Sequence, residues 1–191
     1  MNGEIRSQWS SLIFTFPKLT LILGGAASGK SSFAERLVRH SGYPKSYLAT
    51  AQAFDREMAD KIKQHQIDRG EDWLTTEEPF AVPKALAEQP ENNIILLDCL
   101  TLWLTNLILA ENDPSEPTKA LLHVAQTSKN PIVTVSNEVG HSIIPDSSLG
   151  RRFQRAQGRL NAQVAAQADL VVMVTAGLPQ VLKGALPKDF E

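Results

Sequence analysis

The sequence predicts a single α/β domain built on a mostly parallel sheet, with helices on both faces. Three observations carry that expectation. Five short apolar runs recur along the chain, at residues 19–23, 46–50, 93–98, 131–136 and 170–175. Runs such as ILLD, IVTVS and LVVMVT are apolar through consecutive positions instead of alternating, the pattern of strands covered on both faces. The stretches between them are long enough for helical crossovers, which keep successive strands parallel. A length of 191 residues fits one such domain.

Composition narrows the class. With 42% hydrophobic and 21% charged residues, the chain has the make-up of a globular protein and not of a disordered one. Nineteen basic against twenty-one acidic residues leave a net charge of −2, so no global positive field draws it to nucleic acid or anionic lipid. The single cysteine, Cys99, excludes an internal disulfide and a cysteine metal cluster; it fits a reducing compartment, and a cytoplasmic location is expected. No apolar run approaches the roughly 20 residues of a membrane-spanning helix, so no stable membrane insertion is expected.

Taken in order, residues 1–18 form an N-terminal extension. Glu4 and Arg6 come early, Thr15 and Pro17 break the apolar stretch, and no secretory cleavage pattern follows. The extension reads either as an extra strand or arm that packs Trp9, Leu12, Phe14 and Phe16, or as a poorly ordered tail. The domain proper spans 19–183. Its first strand runs into a glycine-rich turn and a helix at 31–40, where Phe33, Leu37 and Val38 recur at helical spacing. A second helical stretch, 54–69, places Met58, Ile62 and His65 on one face. LTLWLTNLIL after the third strand is helical, NDPSEP at 112–117 is a loop between two helices, and 149–168 is a long Ala-rich helix striped by Phe153, Ala156, Leu160, Val164 and Ala168. The tail, 184–191, is expected to fray.

The turn after the first strand carries the chemistry. Gly24, Gly25, Ala26, Ala27, Ser28, Gly29, Lys30 and Ser31 match G-x-x-x-x-G-K-[ST], with the strand before and the helix after that this motif requires. Glycines let backbone N–H groups close around phosphates at a helix N-terminus, whose dipole favours negative charge. Lys30 adds a mobile charge for the outer phosphates, and the Ser31 hydroxyl is a ligand for Mg²⁺. The expected architecture is therefore a three-layer fold of the P-loop NTPase type. Asp98 closes the third apolar run, at a strand's carboxyl end. It reads as a second magnesium-coordinating acid, as the N-cap of the following helix, or as both.

Four blocks extend the motif: LILGGAASGKSSFAERL, YLATAQAFDREMADKIKQHQIDRGEDWLTTEEP, IILLDCLTLWLTNL, and VSNEVGHSIIPDSSLGRRFQRAQGRLNAQVAAQADLVVMVTAGLP. In this order and over most of residues 20–179, the chain resembles the bifunctional adenosylcobinamide kinase and adenosylcobinamide-phosphate guanylyltransferase family of cobalamin assembly. The resemblance implies phosphorylation of the adenosylcobinamide hydroxyl by a nucleoside triphosphate, ATP or GTP. It further implies transfer of GMP from GTP to that phosphate through a histidine phosphoramidate, at the position of His65. Judged by its spacing alone, His65 is a packed side chain on the Met58 and Ile62 face; the resemblance gives it the nucleophile's role.

By the same resemblance, nucleotide contacts fall on Gly24–Ser31, on Ala49, Thr50 and Ala51, on Gln66, Ile67, Asp68 and Arg69, and on Glu77 and Asp98. Mg²⁺ and a homotrimer are implied as well. Arg69, one helical turn from His65, reads either as a phosphate contact or as a solvated surface charge. One departure stands in the strongest motif: the family's loop commonly reads GGARSGKS, and this chain has Ala27 where the arginine would be. A single-activity P-loop small-molecule kinase and a nucleotide-sensing binding module are the other readings, and acceptor-dependent turnover separates them. Two features remain. Glu138, after the fourth strand, is either an acceptor contact or a loop-stabilising carboxylate. Arg151, Arg155 and Arg159 form a basic stripe on the long helix, either solvated or used for a substrate phosphate or a subunit contact.

Overall fold

A computed structural model describes residues 16–52, 70 and 72–190. The elements are β1 (Leu19–Gly24), α1 (Lys30–His40), β2 (Lys45–Ala49), β3 (Trp73–Glu77), α2 (Val82–Ala87), β4 (Ile94–Asp98), α3 (Leu100–Leu109), α4 (Ser115–Thr127), β5 (Ile132–Asn137), α5 (Ser148–Gln167), β6 (Leu170–Thr175) and β7 (Leu178–Lys183). Among the described residues they form one sheet in the order β3-β2-β4-β5-β1-β6-β7, parallel throughout except for β7. This is the expected α/β fold of P-loop type. All five expected strands are present within a residue or two of their anticipated limits.

The alternation of side chains along the strands divides the core in two. Leu21, Leu23, Leu48, Ile95, Leu97, Ile132 and Val171 face one way, against Val82, Leu86, Leu100, Trp103, Leu104, Leu121, Leu160 and Val164 from α2 to α5. Ile22, Ile94, Leu96, Val133, Val135, Val172 and Val174 face the other way, against Phe33, Leu37 and Val38 of α1. Every residue of β1 is buried, because helices cover both of its faces. The carboxyl end of β1 therefore opens between two helical layers, between β5 and β6, and ligands of open α/β sheets sit beyond such carboxyl ends.

Two strands escaped the sequence reading for different reasons. In β3 only Trp73 is buried, so no apolar run announces it. Arg39 and Lys45 lie 5.5 and 6.0 Å from the Trp73 ring centroid, and Tyr47 meets it edge-on at 5.9 Å. In β7 all six residues are exposed, and Pro179 is tolerated because the strand lies on the sheet's edge. The loop expected at 112–117 ends at Pro114. Helix α4 starts at Ser115 and takes Pro117 into its first turn, where the missing N–H has no helical partner to lose.

Residues 184–190 do not fray. Leu186 and Phe190 pack on the α1 side of the core, and Phe190 meets Phe33 and His40 edge-on at 5.4 and 5.3 Å. His40 Nε2 donates to the Lys188 carbonyl at 3.2 Å. Phe16 is buried in the same layer. Trp9, Leu12 and Phe14, and the helix expected at 54–69, lie outside the described residues.

Candidate nucleotide-binding and catalytic site

The phosphate loop follows directly from β1. Gly24 is the one residue type its position admits, since a Cβ there would stand 2.6 Å from the Val174 carbonyl oxygen and run into Ser28 Oγ. Gly29 caps α1 at φ +90°, and Ala27 also occupies the left-handed region at φ +53°. The loop is held by backbone hydrogen bonds: Ser28 N–H donates to the Gly25 carbonyl at 3.3 Å, and Gly177 N–H, in the β6–β7 turn, donates to the Ser28 carbonyl at 2.8 Å. Lys30 Nζ reaches back to the Gly25 carbonyl at 3.1 Å, which lays its ammonium over the loop. The Ser28 hydroxyl is buried without a hydrogen-bond partner among the described residues.

Strand register sets the remaining predicted residues along the same edge. Ala49 of β2 pairs with Glu77 of β3 on one side and with Asp98 of β4 on the other, so the three end their strands in one row. Beyond Ala49, Thr50 N–H donates to the Asp98 carbonyl at 3.1 Å. The Thr50 hydroxyl donates to the Cys99 carbonyl at 2.7 Å and accepts from Cys99 N–H at 2.8 Å. Asn106 of α3 fixes the same corner from below, its Nδ2 donating to the Thr50 and Pro79 carbonyls. Asp98 is not the N-cap of α3: Cys99 is, its Sγ accepting from Leu102 N–H at 3.4 Å. The Asp98 carboxylate instead accepts a 3.0 Å hydrogen bond from the Tyr47 hydroxyl through Oδ2. Burial, reinforced by the neighbouring Asp98 charge, pushes the Cys99 thiol up to about 12.

The end of β5 completes the edge. Asn137 pairs with Gly24, and Glu138 N–H donates to the Gly24 carbonyl at 3.1 Å. A buried polar network behind it ties β5 to α5. Ser136 Oγ donates to Asn161 Oδ1 at 2.6 Å, Gln157 Nε2 donates to Ser136 Oγ and to Asn161 Oδ1 at 2.9 Å each, and Asn161 Nδ2 donates to the Asn137 carbonyl at 3.0 Å. Thr101 Oγ1 accepts from Asn137 N–H at 2.7 Å. Glu138 turns its carboxylate onto Gly140 N–H, as the loop-stabilising alternative requires.

Among the predicted residues, the fold thus gathers Gly24–Ser31, Ala49, Thr50, Ala51, Glu77 and Asp98 along one carboxyl edge of the sheet. His65, Gln66, Ile67, Asp68 and Arg69 lie outside the described residues. The basic stripe is rearranged: Arg151 donates to the Pro145 and Asp146 carbonyls, and Arg152 joins Arg155 and Arg159 along a groove. Tyr47, Thr101, Asn106, Gln157 and Asn161 were missed because each acts through a partner distant in sequence. Among the described residues, no group of three or more His, Cys, Asp or Glu gathers as a metal cage. The Ser31 hydroxyl and the Asp98 carboxylate are hard oxygen donors, the kind Mg²⁺ takes when phosphate oxygens and water complete its shell, so the donor set fits that ion. No described helix is long and apolar enough to cross a membrane.

A glycine-rich strand-to-helix loop with its lysine, and a carboxylate ending a strand two places away in a parallel sheet, define a P-loop nucleotide-binding enzyme. A family profile, described as cobinamide kinase / cobinamide phosphate guanyltransferase, matches residues 20–182. The chain belongs to that family, CobU. It is 45% identical over 168 residues to the bifunctional adenosylcobalamin biosynthesis protein CobP of Pseudomonas aeruginosa, covering 86% of this chain and 96% of that one. It is 35% identical over 181 residues to the bifunctional adenosylcobalamin biosynthesis proteins CobU of Escherichia coli and of Salmonella typhimurium, covering 86% of this chain and 99% of each.

Proposed function

We propose that this enzyme phosphorylates adenosylcobinamide with a nucleoside triphosphate and then transfers GMP from GTP to the resulting phosphate, giving adenosylcobinamide-GDP. The observation that carries the reading is the phosphate loop sharing one carboxyl edge with Ala49, Glu77 and Asp98, in a chain matched over nearly its whole domain by a family described by both activities. In the kinase step, the loop from Gly24 to Ser31 holds the triphosphate and Lys30 neutralises charge on the transferred phosphoryl group. The substrate hydroxyl loses its proton as its oxygen bonds to the γ-phosphorus, and the nucleoside diphosphate leaves. In the transfer step, neutral His65 attacks the α-phosphorus of GTP and pyrophosphate departs. The phosphate of adenosylcobinamide phosphate then attacks the same phosphorus and restores the free imidazole. Ser31 and Asp98 would hold Mg²⁺, which supplies charge neutralisation on the phosphates when bound.

The proposed nucleotide contacts also include Thr50, Ala51, Gln66, Ile67, Asp68 and Arg69, and the proposed working unit is a cytoplasmic homotrimer of the 19–183 domain, flanked by the 1–18 extension and the 184–191 tail. Incubation with labelled GTP and Mg²⁺ is expected to leave one GMP per chain, acid-labile and alkali-stable, absent from His65→Ala and visible by intact-protein mass spectrometry. Failure to form any adduct while GTP demonstrably binds would remove the transfer step. A second reading, a kinase without guanylyl transfer, is favoured by one residue, Ala27, which lacks the guanidinium of the family's loop. Cobinamide phosphorylation with no GDP product from the unaltered protein supports that alternative.

A further inference from the structure

A groove of about 770 Å³ lies between α3, α4 and α5, apart from the phosphate loop's lining residues. Its long wall is a row of arginines, Arg152, Arg155 and Arg159, and Lys119 of α4 also lines it. Three and four residues apart, the arginines share one face of α5 and extend over about 10 Å at 1.5 Å per residue. All three are exposed, and among the described residues none has a carboxylate within ion-pair distance. Lys119 is held by Glu116 at 2.7 Å. Asp113 is the carboxylate lining the groove, and its pKa lies below the usual range because the Ser115 hydroxyl and N–H bond it, with Arg152 and Lys119 adding to the effect. The uncompensated charge therefore concentrates at Arg155 and Arg159. Leu104 and Leu160, both buried, form an apolar floor beneath them.

We propose that this groove is a second anion-binding site, which takes a chain of two or three phosphoryl groups. A linear row of guanidiniums matches successive phosphoryl oxygens through paired N–H donors, whereas a single phosphate would engage one arginine and leave the others uncompensated. Like charges aligned at helical spacing repel one another, and a polyanion converts that repulsion into attraction. Asp113 disfavours the Arg152 end, so the polyanion centres on Arg155 and Arg159. Free polyphosphate and a nucleoside triphosphate share this chemistry.

The test is calorimetric titration of the full chain with inorganic tripolyphosphate and, separately, with GTP, at low and at physiological salt. Lys30→Ala removes the phosphate-loop site, and Arg155→Gln/Arg159→Gln removes the groove; both arginines are exposed, and a thermal melt checks that the variant is folded. The unaltered protein is expected to show two classes of site for tripolyphosphate. Lys30→Ala retains the groove class, and the double arginine variant retains only the loop class, with at least tenfold weaker binding at the groove. Tighter GTP than tripolyphosphate binding to Lys30→Ala assigns the groove to nucleotides, and the reverse assigns it to free polyphosphate. Loss of all binding in Lys30→Ala, or unchanged two-site binding in the arginine variant, overturns the proposal. Neither result bears on whether His65 carries GMP.

Discussion

The Tyr47 hydroxyl on β2 donates a 3.0 Å hydrogen bond to Oδ2 of Asp98 at the end of β4. One carboxylate oxygen is thereby fixed, and with it the direction in which the other can point. Tyr47→Phe removes the donor without opening a cavity, at a stability cost of about 0.5–1.5 kcal/mol. In a Mg²⁺ titration of kinase turnover, the half-maximal concentration is expected to rise several-fold while the melting temperature falls by only a few degrees. An unchanged Mg²⁺ dependence would separate Asp98 from the metal.

Gly24→Ala sets a methyl group 2.6 Å from the Val174 carbonyl, so the loop or β6 must shift. Overpacking of this kind costs about 1–3 kcal/mol. Because the displaced atoms include the loop itself, nucleotide affinity is expected to fall by at least tenfold, measured by fluorescent-nucleotide displacement. Gly25→Ala, where a Cβ meets nothing within 4 Å among the described residues, is the control and should bind within a few-fold of the unaltered protein.

Asn161→Leu removes the centre of the buried network that joins α5 to β5. Each buried polar group left without a partner costs about 1–3 kcal/mol. The urea midpoint should drop clearly with its slope unchanged. Since Asn161 holds the Asn137 carbonyl and Glu138 N–H holds Gly24, the KM for nucleotide is expected to rise more than kcat falls.

The Cys99 thiol, raised to about 12 from an ordinary value of 9.0, gives a pH dependence of known sign. Its folded-state pKa lies above the unfolded one, so its contribution is complete below about pH 9 and is lost as pH rises toward 12. Urea midpoints should therefore fall between pH 9 and 11, and less so in Cys99→Ala. Iodoacetamide at pH 8 is expected to leave the native protein unmodified and to add one group per chain in denaturant.

The sheet was legible because its inner strands are covered on both faces, so Ile94–Leu97 and Leu170–Val174 read as unbroken apolar runs. β3 and β7 were not, since exposed edge strands need no such runs. The phosphate loop was legible because its steric demands are local: Gly24, Gly29 and Lys30 act within one turn of chain. The supporting residues were not, because the hydrogen bonds of Thr50 to Cys99 and of Asn161 to Asn137 span 49 and 24 positions. Asp98 illustrates the boundary between the two cases. Its place at a strand end was readable from sequence, but its release from capping duty depended on Cys99 supplying the cap instead.

Trp73, edge-on to Tyr47, sits one aromatic ring away from the Asp98 carboxylate and has two cations over its face. Indole emission responds to nearby charge, so the chain carries its own optical probe of the carboxyl edge. With Trp9 and Trp103 replaced by phenylalanine, the wavelength of the remaining emission should change as nucleotide and Mg²⁺ fill the edge. Occupancy could then be followed in a stopped-flow cell without any label on either substrate.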